Sequence, residues 1–246
     1  MLREPQVLRS LASTRREVGF SWSPWSLDEW WQTLAGPSIH SLSRHKDSEY
    51  GVLIKATSAT SNMMGDILQR RQQDLAVALA MPLDLYLTAM QMSPTALQDI
   101  QGFAAARIQQ IRTWLQRPPA ALSALSQDQL IAMSWLVSVW PLMQARQQFA
   151  QRCYYLSFAS LMSDPQTAAR DVAIALNWHA PVDAQPLMKT YAKAPDRAYD
   201  SQRRWQQMSE LRLKLKAKSE DLQAWLQNLM RERRDISQFL EQSLAI

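Results

Sequence analysis

Glycine is scarce in this chain: five residues in 246, at Gly19, Gly36, Gly51, Gly65 and Gly102, with no two close together. That spacing excludes a G-x-G-x-x-G turn and a P-loop, which both need clustered glycines for close backbone approach to phosphate. Cysteine is scarcer still. Cys153 alone rules out an internal disulfide and fits a reducing compartment. The three histidines, His40, His45 and His179, lack metal-ligand spacing, so no metal is expected. The longest apolar stretch, Leu130–Met143, is interrupted by Ser134, Ser138 and Pro141 and falls short of a membrane span. No basic-apolar-small signal pattern opens the chain. These absences point to a cytoplasmic protein with no transmembrane segment.

Charge of one sign is concentrated late. Arg197–Arg234 holds ten basic and five acidic residues and so carries the whole net +5. A basic segment can meet nucleic acid or an anionic surface, but a solvated helix face is the commoner explanation. The interspersed acids, and the lack of basic-aromatic interleaving, argue against nucleic acid.

The chain is organised around Val52–Met90, which reads as two strand-to-helix units. Val52–Ala56 is a short apolar run, followed by a Thr57–Asn62 turn and the amphipathic Met63–Arg71. Leu75–Met81 is a second run, followed by Pro82 and the helix-like Leu83–Met90. Apolar runs of this length suit buried parallel strands, and Ser, Thr, Asn and Pro suit helix starts. In open α/β sheets ligands sit at the carboxyl ends of strands, which places Lys55, Thr57, Ser58, Asp84 and Thr88 where chemistry is expected. The plainer reading is that the Ser/Thr run only caps a helix and that Lys55 extends to solvent.

Upstream, Gln6–Glu17 is helix-like. Phe20–Leu34 carries Trp22, Trp25, Trp30 and Trp31, and Ser26 with Glu29 forms a capping box. The tryptophans read as a satellite core rather than a stacking surface. Gly36-Pro37-Ser38 is expected to end that helix, with His40–Tyr50 a polar connection. Downstream, one long helix is expected from Ser93-Pro94 to Gln116 and a buried one over Leu130–Phe149. Then come a strand over Arg152–Ser157, a brief turn at Ala159–Met162 and a helix from Asp164-Pro165 to about Asn177. Trp178–Pro195, with three prolines, reads as a loop or lid. From Ala198 on, two helices broken near Ser219 fold back on the domain. Met208, Leu215, Leu222, Leu229 and Ile236 recur every seven residues, but the companion positions Lys218 and Glu232 do not sustain a coiled coil.

Three pieces in order, Arg3-Glu4-Pro5, Lys55-Ala56-Thr57-Ser58 and Met81–Thr88, followed by Tyr154–Pro165, resemble the sulfotransferase family that uses 3′-phosphoadenosine 5′-phosphosulfate (PAPS). The likeness covers about residues 1–200. The stretches Tyr191–Pro195 and Ala198-Tyr199-Asp200 are similar to a bacterial branch of it. The resemblance implies an α/β fold with a parallel sheet of about three to four short strands flanked by many helices. A sulfotransferase-like domain is expected over 1–197, with a C-terminal helical pair over 198–246 packed on it. PAPS is implied as co-substrate. Lys55 matches the strand lysine and Glu4 the base of some members, which makes these two the catalytic candidates. Thr88 matches the 3′-phosphate serine. Thr57, Ser58 and Asp84 fall beside it, and Lys193 and Arg203 offer cations from the lid side.

The departures matter equally. Thr57 stands where several members have a catalytic histidine, Ala80 where the 3′-phosphate arginine belongs, and Ala159 where a glutamate is usual. The family's glycine-rich phosphate loop precedes the Arg-Glu-Pro segment and has no counterpart here. Either the chain starts short of the family's first strand or nucleotide binding is lost. The expected function is sulfuryl transfer from PAPS to a hydroxyl acceptor if the fold is complete, with the chain inactive as it stands. The alternative is a non-catalytic scaffold that meets a protein partner through its helical, basic C-terminal surface.

Overall fold

The computed structural model describes residues 6–18, 23, 25–43, 58–115, 124–178 and 201–242. Within them the chain is mostly helical, with a short parallel two-stranded sheet. The elements are α1 (Gln6–Glu17), α2 (Leu27–Trp30), a π turn (Trp31–Ala35), α3 (Gly36–Ser43), a 3-10 turn (Ser58–Met63), α4 (Met64–Arg70), β1 (Ala76–Ala80), α5 (Leu83–Gln91), α6 (Pro94–Gly102) and α7 (Ala104–Trp114). They continue as α8 (Gln127–Gln148), β2 (Cys153–Ser157), α9 (Phe158–Ser163), α10 (Pro165–Ala175), α11 (Ser201–Lys214), α12 (Lys216–Leu229) and α13 (Arg234–Gln242). The chain packs as two compact units. One comprises Met1–Ala76 with Ser138–Tyr154, the other Val77–Val137 with Tyr155–Ile246, and the division passes through both strands and α8.

The first unit is built on α1. Its Leu8, Leu11 and Ala12 recur at helical spacing and bury against Trp30, Ala35, Ile39 and Met63, with Trp25 and Trp31 packed alongside. Trp30 is therefore core, with Trp25 and Trp31 partly buried against it, while Trp22 lies outside the described residues. The one polar atom of the Trp30 side chain is satisfied, because its Nε1 donates to Thr14 Oγ1 at 2.8 Å. Arg15 lies over the same ring, 6.0 Å from its centroid, and its Nε donates to Asp66 Oδ2 at 2.5 Å. Asp66 is 8% exposed, so its charge is held by that arginine rather than by water.

Ser26 and Glu29 form the expected capping box. Gly36-Pro37-Ser38, however, does not end the helix. The backbone widens into the π turn and re-enters α3, which takes in His40. The wider turn absorbs an extra residue, and Gly36 permits it: a Cβ there would lie 3.0 Å from the Trp31 carbonyl oxygen and 3.2 Å from its Nε1.

One side chain closes this unit around the turn before β1. Arg152 Nη1 donates to the carbonyls of Arg71 (3.0 Å), Gln72 (3.0 Å) and Asp74 (3.4 Å), and Nη2 to that of Leu68 (2.5 Å). These include orphan carbonyls at the end of α4, which a C-terminal cation satisfies. The guanidinium also stacks on Phe149 at 5.2 Å.

Of the expected strands, those at Leu75–Ala80 and Arg152–Ser157 form, as β1 and β2. Val52–Ala56 and a possible strand at Met1–Arg3 lie outside the described residues, so two strands of the expected three to four are seen. Full burial of both sheet faces does not hold, since Leu79 on β1 is 45% exposed. Ala78 and Ala80 are buried while Leu79 between them is exposed, because successive side chains of a strand point to opposite faces of the sheet. The single helix expected over Ser93–Gln116 is two, broken at Phe103. Arg107 covers the break by donating to the carbonyls of Asp99 (3.3 Å) and Ile100 (3.0 Å) and stacking on Phe103 at 5.8 Å. Ala159–Met162 is helical within α9 rather than a brief turn, with Ser157 as its cap. Asn177, in the left-handed region at φ 51°, stops the chain after α10 as expected.

Residues 131–140 of α8 are buried without exception. The C-terminal pair is a triplet. The break falls at buried Leu215, and Ser219, where it was expected, is buried inside α12. Packing fixes the corner here, since Met208, Leu215, Leu222 and Ile236 all face inward. Phe239 of α13 stacks on Trp135 of α8 at 5.9 Å.

Candidate functional site

The carboxyl end of the sheet is where ligand chemistry was expected, and its described part belongs to the second unit. β1 leads through Met81-Pro82 into α5, and β2 leads directly into α9. Pro82 is extended (φ −56°, ψ 153°) and starts the helix without giving up an N–H the helix needs. The Met81 carbonyl accepts from Trp135 Nε1 at 2.7 Å, which fixes the strand end to α8. At β2, Ser157 Oγ accepts from the Ser160 N–H at 3.0 Å and lies 2.8 Å from Ser160 Oγ.

Two sequence-predicted residues have described side chains here, and both are engaged. Asp84 Oδ1 accepts from the Leu85 N–H at 2.7 Å, and its Oδ2 accepts from Arg212 Nε of α11 at 2.5 Å. A carboxylate in the first turn also complements the helix dipole. Thr88 is 0% exposed and donates to the Asp84 carbonyl at 2.7 Å. Its hydroxyl hydrogen is thus committed within α5, and the side chain faces the core. Ser58 opens the 3-10 turn of the first unit, and Arg203 lies in α11. Glu4, Lys55, Thr57 and Lys193 lie outside the described residues, as does the loop or lid beyond Trp178. What the structure brings together is therefore Asp84, Thr88 and Arg212.

Arg212 was missed by sequence reasoning, which chose Arg203 on the same helix. No local signal distinguishes them, because the partner of Arg212 lies 128 residues away.

No family model, curated protein or solved structure matches the chain.

Tyr86 OH lies 3.0 Å from Ser134 Oγ, and burial pushes its phenol up despite that hydrogen bond. Burial likewise raises the Cys153 thiol, with Arg146 opposing it, so thiolate chemistry is disfavoured at neutral pH. An open depression is lined by Arg70, Arg71, Gln72 and Gln73. Its cations are already matched: Arg70 pairs with Asp28 and stacks on Trp31 at 5.4 Å, and Arg71 pairs with Asp74. Among the described residues, no group of three His, Cys, Asp or Glu side chains could hold a metal ion. Nor is any described helix long and apolar enough to cross a membrane.

Proposed function

We propose that this chain is a non-catalytic relative of the PAPS-dependent sulfotransferases, keeping the strand-Pro-helix unit as structure and acting as a scaffold for a protein partner. The observation that carries the reading is Thr88. At the position matching the 3′-phosphate serine, its hydroxyl donates to the Asp84 carbonyl at 2.7 Å and has no exposed surface. A phosphate there would have to displace that bond and enter the core, where a dianion without paired donors is very costly. Ala80, standing where the family has its arginine, supplies no bidentate contact in compensation. Asp84 adds a negative charge beside the same helix start, although Arg212 neutralises it.

Calorimetric titration of the purified 246-residue chain with 3′-phosphoadenosine 5′-phosphate tests this. No saturable heat is expected. Binding tighter than about 1 μM, near −8 kcal/mol, would overturn the proposal and restore sulfuryl transfer to a hydroxyl acceptor, with Glu4 and Lys55 as the residues to mutate first.

A further inference from the structure

We draw no further inference here: the strongest candidate, the apolar side of strand β1 that leaves Leu79 45% exposed, carries none, because nothing in the structure shows what covers it.

Discussion

Replacing Arg152 by alanine should loosen the first unit more than any other surface-reaching substitution in it. The guanidinium serves four backbone carbonyls, of Leu68, Arg71, Gln72 and Asp74, and stacks on Phe149. A hydrogen bond from a charged donor contributes about 1.5–3 kcal/mol when shielded. Gln72 is exposed and the Asp74 contact is long at 3.4 Å, so water replaces those two at little cost. Leu68 is fully buried and Arg71 half-buried. Counting these two at the lower end, with a few tenths for the lost stacking, gives a cost of about 3 kcal/mol.

The readout should be local, because two units need not unfold together. The Asp74 amide bonds to the Arg71 carbonyl within this turn, and the amides of Ala76 and Cys153 bond to the carbonyls of Arg152 and Phe149 on either side of Arg152 in the structure it clamps. Native-state hydrogen exchange at these amides should speed up by roughly 100-fold in Arg152→Ala, the equivalent of about 3 kcal/mol. Arg152→Lys keeps the charge but cannot fork to several carbonyls, and should recover less than half of the loss. If lysine restored full protection, or alanine changed exchange by less than about threefold, the carbonyl-clamp reasoning would be wrong.

Other perturbations have equally definite signs. Gly36→Ala improves intrinsic helix propensity by about 1 kcal/mol, yet it should destabilise, because its Cβ meets the Trp31 backbone oxygen at 3.0 Å; a raised urea midpoint would refute this. Trp135→Phe removes the donor to the Met81 carbonyl and part of the stack on Phe239, and should cost about 2–3 kcal/mol, read as a lowered urea midpoint at unchanged slope. Glu29, Asp164 and Asp235 have carboxyls held below their ordinary values, by Ser26, by Thr167 and by Arg233 respectively. A depressed folded-state value means that their contribution is full above the ordinary carboxylate range and is lost as pH falls through the folded values. Stability followed by denaturant titration from pH 6 downward should therefore decline below about pH 4, and a rise there would contradict the assigned hydrogen bonds.

The parts of the fold that could be read in advance were those fixed by short-range chemistry. Leu75–Ala80 and Arg152–Ser157 announce themselves as apolar runs between turn residues, and Ser26, Ser93 and Asp164 act as caps where helices were expected to start. The errors fall where distant packing decides. Nothing local to Gly36-Pro37 shows that Trp31 will lean over it, and nothing near Leu215 says that a helix breaks there rather than one turn away; at Phe103 the preceding Gly102 is a local break signal that the single-helix reading passed over. The site was harder still. Asp84 and Thr88 lie in the helix that follows β1, but their partners, Arg212 and a carbonyl of their own helix, come from geometry that spacing does not reveal. Arg152 had no signal at all, since the carbonyls it serves converge only after the turn at 71–74 has formed.

That turn also orders events during synthesis. Arg152 reaches a carbonyl 84 residues earlier in the chain, and the segments completing the first unit, up to 76 and from 138, flank a stretch belonging to the second. A ribosome makes the chain from the amino end, so α1 and the tryptophan helices emerge long before their last stabilising partner exists. They must wait, partly assembled, with Leu8, Leu11 and Trp30 as their provisional core. Closure over so long an intervening segment is slow relative to local helix formation. A chain arrested before residue 152 should thus be a substrate for chaperones and proteases, and release past that point should abruptly protect its amino-terminal half.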